Sequence, residues 1–361
     1  MSMYPFFRDQ LFKLDPEKAH GLTLQMVGTV GRLPLGPQLL SALFAGPRKP
    51  VEVFGLKFRN PVGLAAGYDK DGTALRGLAA LGFGHIEIGT VTPRPQPGNP
   101  KPRVYRLVED EAVINRMGFP SRGTEFVQIQ LNPALAAGVI EWLLGFPTTR
   151  NPKKARPLGT VLGVNLGKNK DTPNEEAVYD YLALLQNYAS LADYLTINVS
   201  SPNTVGLRSL QGRDALQGLL RHLHAQRLLE QTRLKKRLPL LVKLAPDLSD
   251  QELEDAVGVI IETGMDGVIA TNTTLDRSGL RSPQQDEAGG LSGRPLTHLS
   301  DEVLKKVVKL VDGRIPVVGV GGIMSAVDAR RKMELGASLV QVYTGLIYAG
   351  PGLVKQIVKA I

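Results

Sequence analysis

The chain has 361 residues, of which 43% are hydrophobic and 21% are charged, and these values are typical of a globular enzyme. The absence of cysteine excludes thiolate catalysis, iron–sulfur clusters and disulfide bonds. No apolar run approaches the roughly 18 residues of a membrane-spanning helix, and the five histidines lack metal-ligand spacing, so we expect no metal site. The net charge of +9 fits a solvated basic surface, nucleic acid or an anionic membrane, and charge alone does not choose among them.

Residues 1–45 precede the first predicted strand and have the pattern of two short helices separated by Asp15 and Pro16. Asp15 is expected to cap the second helix, and Pro16 suits its first turn. The first helix has an apolar face formed by Tyr4, Phe7, Leu11 and Leu14. This face could pack on the rest of the protein as a lid, or it could serve as a membrane anchor or the entry to an apolar ligand tunnel. The start lacks a signal-peptide cleavage site, which favours a cytoplasmic protein.

Eight short apolar runs alternate with helical segments along the rest of the chain. The predicted strands are Val62–Gly67, His85–Val91, Val161–Gly167, Tyr194–Ser200, Leu240–Pro246, Gly267–Asn272, Pro316–Gly322 and Leu339–Gly345. Continuous apolar strands alternating with helices indicate a parallel sheet, and eight such units predict a closed (β/α)8 TIM barrel. Residues 120–160 fall outside this pattern and predict an insertion made of a helix and a long excursion. It contains an apolar piece around Val139–Phe146, which includes Trp142, and then a basic loop over Arg150–Arg156.

Polar residues gather where these strands end, which is where barrels place their active sites. The glycines of Gly319–Ile323 and Val342–Gly345 predict a phosphate site after the last two strands. Lys243 lies inside an apolar strand, where it must be paired, deprotonated or bound to an anion, and it could face the electron-rich edge of a flavin. Amides that follow the strands could bind a flat heterocycle, and Lys70 could hold a substrate oxygen.

These segments together closely resemble the class 2, quinone-dependent dihydroorotate dehydrogenases over nearly the whole chain. The matching segments are LAAGYDKDG, IEIGTVTPRPQPGNPKPRVYRL, INRMGF, GVNLGKNK, NVSSPNTVGLR, VKLAPDLS, ATNTT, GGLSGRPL, VGVGGI and LVQVYTG. The resemblance implies a helical segment over residues 1–45 for membrane association and a quinone tunnel. It also implies an FMN-binding catalytic barrel over residues 46–361, with the 120–160 insertion inside it.

The implied reaction is the oxidation of (S)-dihydroorotate to orotate in pyrimidine biosynthesis. FMN takes a hydride from C6 while a serine base, which maps onto Ser201, removes a proton from C5, and a membrane quinone then accepts the electrons. Ser200 is the neighbour that could be confused with the base. Because a serine hydroxyl is a weak base, we expect Thr204 or a water to relay its proton and Lys70 to favour the developing negative charge.

The resemblance also implies roles for individual residues. The substrate would be held by Lys70, Asn115, Arg116, Met117, Gly118, Phe119, Asn198, Asn203, Asn272 and Thr273. The flavin would contact Ala65, Ala66, Gly67, Tyr68, Asp69, Thr90, Asn165, Asn198, Lys243 and Thr271. Its phosphate would be bound through Gly293, Gly322, Tyr343 and Thr344. The quinone tunnel would be lined by His20, Arg106 and Tyr343.

The chain departs from the family pattern at Pro120, where asparagine is usual, and in the length of residues 120–160. We expect a monomer on the cytoplasmic face of a bacterial inner membrane, with no nucleic-acid partner. A tRNA dihydrouridine synthase would need a catalytic cysteine and an RNA-binding domain, and a class 1 dehydrogenase would also need the cysteine. A membrane-bound flavin sensor is the non-enzyme alternative, but it would have no use for a base such as Ser201.

Overall fold

A closed barrel of eight parallel strands forms the centre of the computed structural model, which describes residues 4–132 and 159–361. The strands are β1 Val51–Val53, β2 Leu56–Phe58, β3 Val62–Leu64, β4 His85–Val91, β5 Val104–Leu107, β6 Ala112–Asn115, β7 Val161–Leu166, β8 Tyr194–Asn198, β9 Leu240–Leu244, β10 Gly267–Ala270, β11 Gly290–Gly293, β12 Val317–Val320 and β13 Leu339–Val342. The helices are α1 Tyr4–Leu11, α2 Pro16–Arg32, α3 Gly36–Phe44, α4 Leu75–Ala80, α5 Gly123–Leu131, α6 Ala177–Tyr188, α7 Arg213–Leu234, α8 Asp250–Glu262, α9 Thr297–Val311, α10 Ala326–Glu334, α11 Thr344–Ala349 and α12 Gly352–Ala360.

The barrel strands follow the order β3-β4-β7-β8-β9-β10-β12-β13, and β13 pairs with β3 to close the ring. All eight predicted strands are present, and the TIM-barrel prediction is confirmed. Every residue of these eight strands is buried, which is why they appear in the sequence as continuous apolar runs rather than alternating ones. Seven of the strands end one to three residues earlier than predicted, because their last predicted residues already belong to the loops that form the site.

Two smaller sheets cover the two ends of the barrel. The antiparallel pair β1–β2 brings Phe54 and Phe58 against Tyr194 and Leu241 at the amino-terminal ends of the barrel strands. At the opposite end, β5, β6 and β11 form an antiparallel sheet that carries Asn115. The carboxyl-terminal mouth of the barrel is therefore the end at which a roofed cavity forms.

Residues 4–44 form three helices, whereas the sequence predicted two. Asp15 caps α2 as expected by accepting a hydrogen bond from the Lys18 backbone N–H at 2.9 Å, and Pro16 is its first residue. The predicted second helix is divided into two helices: α2 ends at Arg32, and α3 begins at Gly36. Pro34, which cannot continue a helix and disfavours helical backbone in the residue before it, is the cause that the prediction overlooked.

Helix α5, Gly123–Leu131, lies within the predicted insertion. The remainder of the predicted excursion, including Trp142, lies outside the described residues. No helix in the described ranges 4–132 and 159–361 is long and apolar enough to cross a membrane.

Candidate active site

A cavity of about 980 Å³ opens at the carboxyl-terminal ends of the barrel strands. It brings together residues from loops that are far apart in sequence, as expected for a barrel site. The predicted site residues that line it are Ala65, Ala66, Gly67, Lys70, Thr90, Asn115, Met117, Gly118, Phe119, Asn198, Ser201, Asn203, Lys243, Thr271, Asn272, Thr273, Gly293, Gly322, Tyr343 and Thr344.

Three polar side chains on adjacent strands form a hydrogen-bonded wall of the cavity. Thr90 donates to the Asn165 Oδ1 at 2.6 Å, and the Asn198 Nδ2 donates to the same oxygen at 2.9 Å. The Asn165 Nδ2 donates in turn to Glu87 at 2.8 Å, and this hydrogen bond fixes the orientation of the Asn165 amide. Asn165 itself is fully buried and supports the cavity wall through Thr90 and Asn198 rather than lining it.

The two neighbouring serines of the motif NVSSPN occupy different environments. Ser200 is fully buried, where its hydroxyl donates to the Asn198 Oδ1 at 3.1 Å and accepts from the Asn272 Nδ2 at 2.9 Å. Ser201 lines the cavity, and its hydroxyl oxygen accepts from the Asn203 backbone N–H at 3.3 Å. Ser201 is therefore the serine that can reach a bound substrate, whereas Ser200 braces the loop.

Thr204 lies outside the cavity lining but close to Ser201 in the chain. Its side chain is buried, and its hydroxyl has no hydrogen-bond partner among the described residues. This hydroxyl therefore keeps its donor and its acceptor capacity for a group that enters the loop.

Two lysines supply positive charge to the cavity. The Lys70 Nζ donates to the Gly67 carbonyl at 2.7 Å, and burial lowers the pKa of Lys70 to about 8. Burial also lowers the pKa of Lys243, and the Glu87 carboxylate opposes that shift. The Lys243 side chain makes no hydrogen bond within residues 4–132 and 159–361, so it remains available to an acceptor in the cavity.

Glycines with positive φ angles shape one end of the cavity. Gly293 has a φ of 101° and Gly322 a φ of 66°, conformations that other residues rarely adopt. A Cβ atom on Gly322 would stand 2.3 Å from the Thr297 Cα, and one on Gly293 would stand 2.4 Å from the Glu111 carbonyl oxygen. Thr344 lies at the same end, where its hydroxyl is 2.8 Å from that of Ser292.

A second cavity of about 810 Å³ lies between the first two helices and the β5–β6–β11 sheet. His20 and Arg106, which the sequence assigned to a quinone tunnel, both line it, and Tyr343 lines both cavities. Burial lowers the pKa of His20 to about 4, so its ring is neutral near neutral pH. The Arg106 guanidinium lies 4.1 Å from the centre of the Phe12 ring and donates to the Phe12 carbonyl. The walls of this cavity are therefore largely apolar and aromatic, with the half-buried Arg106 cation and the Glu17 carboxylate among the polar groups that line it.

Three other predicted site residues point away from the first cavity. Asp69 accepts the backbone N–H groups of Thr73 and Ala74, so it orders the turn that follows Lys70. Arg116 extends outward and forms an ion pair with Glu287 at 3.0 Å. Tyr68 lines the second cavity, where its ring packs edge to face on those of His20 and Tyr343.

The structure also places residues in the cavity wall to which the sequence analysis gave no individual role. Ser292, Leu296, Val320, Gly321, Ile323, Met324, Gln341 and Gly345 line it. Gly321 and Gly345 belong to the glycine segments already singled out, so their signal was present. Gln341 lies inside the apolar strand β13, and a polar residue at such a position was a signal that could have been used.

A (β/α)8 barrel with a polar cavity at its carboxyl-terminal mouth has the architecture of a TIM-barrel enzyme. In this chain a second, largely apolar cavity lies beside the first. A profile of the family described as Dihydroorotate dehydrogenase matches residues 49–361. The chain is 48% identical to the dihydroorotate dehydrogenase (quinone) of Aeromonas hydrophila over 360 residues, covering 99% of this chain and all of the relative. It is 50% identical to that of Burkholderia thailandensis over 366 residues, covering all of this chain and 97% of the relative.

Solved structures give the same relationship. A DHODH from Eimeria tenella in complex with ferulenol has a TM-score of 0.81 and 39% identity, over 96% of this chain and 90% of that one. The ligand-free form from the same organism also has a TM-score of 0.81, with 40% identity over 96% and 93% of the two chains. The chain therefore belongs to the dihydroorotate dehydrogenase family, in its class 2, quinone-dependent branch.

Proposed function

We propose that the protein oxidises dihydroorotate to orotate and delivers the electrons to a membrane quinone. The observation that carries this proposal is that Ser201, Lys70 and Asn203 line one cavity, which shares a wall with a second cavity under the N-terminal helices. Relatives that are about half identical over their full length carry the name dihydroorotate dehydrogenase (quinone), which supports this substrate and this acceptor.

FMN is the cofactor that we assign to the first cavity, bound without a covalent bond and with one molecule per chain. When bound, a flavin accepts a hydride from carbon and later passes electrons to a quinone. The residues present fit such a group, because the cavity holds an unpaired Lys243 amine and a buried Gln341 Oε1 that has no partner among the described residues. We assign the phosphate to Gly293, Gly322, Tyr343 and Thr344, where the backbone leaves room for a close approach.

The rest of the cofactor site follows from the cavity wall. Ala65, Ala66, Gly67, Thr90, Asn198, Lys243 and Thr271 line the cavity and are assigned direct contacts. Asp69 and Asn165 act one step away, by ordering the turn before α4 and by fixing the amide of Asn198. A protonated Lys243 would stabilise negative charge on the cofactor.

Ser201 is the residue that we assign to proton removal from C5 of the substrate. A free serine hydroxyl is a weak base, so it needs a route by which its own proton leaves. The Thr204 hydroxyl is three residues away in the chain and has no partner within the described residues, so it is free to accept that proton directly or through a water. Lys70 in its ammonium form would favour the developing negative charge.

The substrate is held, in this proposal, by side chains that converge from four loops. The Asn203 Nδ2 donates to the Asn115 Oδ1 at 3.3 Å, and the Asn272 side chain is fixed by Ser200. These amides offer both donors and acceptors to the N–H and C=O groups of a pyrimidine ring. The lining is completed by Met117, Gly118, Phe119 and Thr273. The Arg116 side chain lies outside the cavity, so Arg116 contributes only as part of the Asn115–Phe119 segment.

The second cavity is the quinone site in this proposal, and residues 1–45 form its outer wall and the membrane-contact segment. Phe6, Phe7, Leu35 and Leu39 are each more than half exposed on these helices. Their apolar side chains would enter the boundary between lipid headgroups and acyl chains, as in a peripheral protein. We place the protein as a monomer on the cytoplasmic face of a bacterial inner membrane, with residues 46–361 as the catalytic domain.

The assignment of Ser201 is tested by the reduction of the bound flavin under anaerobic conditions. Ser201→Ala should retain its flavin, but its absorbance should bleach at least about a hundredfold more slowly on mixing with dihydroorotate. Ser200→Ala is the control, since that hydroxyl braces the loop without reaching the cavity, and its bleaching should slow much less. Wild-type bleaching rates in Ser201→Ala would refute the assignment, and a wild-type protein that dihydroorotate does not bleach would refute the proposed function.

The quinone site is tested by separating the two half-reactions. Arg106→Leu should leave bleaching by dihydroorotate unchanged, because Arg106 lines only the second cavity. Reoxidation of the reduced flavin by a ubiquinone analogue should slow in this variant. An equal effect on both half-reactions would place Arg106 in a general structural role instead.

A further inference from the structure

Glu87 is a buried carboxylate inside the barrel, on strand β4, and it is assigned no contact with substrate or cofactor above. Its side chain has no exposure to solvent. It accepts hydrogen bonds from the Asn165 Nδ2 at 2.8 Å and from the Tyr194 hydroxyl, the Thr196 hydroxyl and the Gln341 Nε2, each at 3.1 Å. The donors come from three other barrel strands, so Glu87 ties β4 to β7, β8 and β13.

These four hydrogen bonds match the chemistry of an ionised carboxylate. Such a group only accepts hydrogen bonds and has about four lone-pair sites. A charge buried in this way also needs a countercharge. No ion pair in the described ranges includes Glu87, and Lys243 is the cation whose pKa the Glu87 carboxylate raises through space. Lys243 lines the cavity above, so the two charges are linked electrostatically without a direct hydrogen bond.

Glu87 also determines how two amides face the cavity. Because the Asn165 Nδ2 is held by Glu87, the Asn165 Oδ1 must face Thr90 and Asn198. The Gln341 Nε2 is held in the same way, which leaves the buried Gln341 Oε1 without a partner within the described residues. Gln341 lines the cavity assigned to the cofactor, and Asn165 supports its wall through Thr90 and Asn198.

We propose that Glu87 is a positioning residue that orients Asn165 and Gln341, and that its buried charge, one hydrogen bond away from the cavity-lining Gln341, lowers the reduction potential of the bound flavin. The inference rests on the proposed flavin site but is independent of the identity of the substrate. A fixed negative charge in a poorly solvated interior opposes the addition of electrons nearby. Removal of that charge should therefore favour the reduced cofactor.

The variant Glu87→Gln removes the charge and keeps the shape of the side chain. The new amide nitrogen would replace a carboxylate oxygen that now accepts three hydrogen bonds. Rotation of the Gln341 amide would present its unpartnered Oε1 to that nitrogen. The hydroxyls of Tyr194 and Thr196 can both donate and accept, so they can reorient as well. The charge is thus lost while the new amide nitrogen gains an acceptor, and the Gln341 Nε2 moves to the position that its unpartnered oxygen now occupies.

The experiment is an equilibrium reduction of the flavin-loaded protein against a redox dye of known potential. Glu87→Gln should shift the two-electron equilibrium at least tenfold toward the reduced flavin, which equals about 30 mV. Tyr194→Phe is the matched control, because it removes one hydrogen bond to Glu87 and retains the carboxylate, and its shift should be less than half as large. Equal potentials in Glu87→Gln and wild type, or an equal shift in the control, would overturn the proposal.

A second measurement covers the case in which Glu87→Gln loses flavin during purification. The ratio of the dissociation constants of oxidised and reduced FMN fixes the potential of bound flavin relative to free flavin. Measured by adding each form of FMN to the protein, the ratio of the oxidised to the reduced constant should be at least tenfold higher in Glu87→Gln than in wild type, and equal ratios would also overturn the proposal. The dye titration does not need dihydroorotate, so a failure of the proposed substrate would be seen separately as an absence of bleaching.

Discussion

His85 offers a quantitative test of how the barrel interior responds to acid. It is fully buried at the start of β4, and its ring packs edge to face on Phe58 and Tyr194. Neither ring nitrogen has a hydrogen-bond partner among the described residues, and burial lowers the pKa of His85 to about 3. Gly63 makes room for this ring, since a Cβ atom there would lie 2.0 Å from the His85 Nε2.

The sign and size of the effect follow from the two pKa values of His85. The unfolded chain takes up a proton near the ordinary pKa of 6.5, whereas the folded chain does so only near 3. The folded state therefore loses stability as the pH falls below 6.5, at about 1.4 kcal/mol per pH unit. Between pH 7 and pH 4.5 the free energy of unfolding should fall by about 2.5 kcal/mol through His85 alone.

The variant His85→Leu removes this titration while retaining an apolar side chain of similar size. Urea unfolding gives the free energy of unfolding of wild type and variant at pH 7 and at pH 4.5. The change between the two pH values is then compared, so any packing effect of the substitution that does not depend on pH cancels. The variant should lose about 2.5 kcal/mol less than wild type on acidification. His222→Gln, on the exposed face of α7, is the control and should behave as wild type. The same acid dependence in His85→Leu and wild type would refute the reasoning.

Three further predictions concern the site and its attachments. Dihydroorotate binding to the oxidised protein, measured through the flavin absorbance, should weaken as the pH rises through about 8, because Lys70 then loses the charge that holds the substrate. A binding constant that does not change with pH would contradict this. Gly322→Ala should lose most of its flavin, because the new Cβ would meet the backbone of α9. The ratio of flavin to protein absorbance measures this loss. Gly218→Ala is the control, since its new Cβ has free space and the variant should retain its flavin. Arg103→Met should make residues 1–45 more sensitive to limited proteolysis, because Arg103 is buried against Glu17 of α2 at 2.7 Å; equal cleavage rates would show that this ion pair does not anchor the helix.

Much of the fold could be predicted from the sequence because parallel strands in a barrel are buried on both faces. A run such as Val161–Leu166 has no exposed position, so its composition alone marks it as a strand. Strand ends were less accurate, because residues such as Ala66 and Ala245 continue the apolar run into the loop. The third N-terminal helix was missed because the helical pattern is similar on both sides of Pro34, so the pattern alone did not reveal the break.

The polar loop residues could be predicted because they follow the strands directly, whereas the interior partners could not. Glu87 stands alone in the apolar segment HIEIGTV, and nothing local to that segment shows that Gln341 donates to it from 254 residues away. The direction of Arg116 depends in the same way on Glu287, which is 171 residues distant. Contacts between distant strands depend on barrel closure, which local periodicity does not encode.

The β5–β6–β11 sheet explains why helices α1 and α2 pack on the barrel domain instead of forming a separate tether. Side chains alternate across a strand, so one face of this sheet packs Tyr105 and Ile114 into a small core of their own. The other face turns Val104 and Val113 toward the second cavity, where α1 and α2 cover them. Without the helices this apolar face would be open to water, and the wall that both cavities share would stand exposed. The N-terminal helices are therefore needed to enclose the site at which we place the quinone.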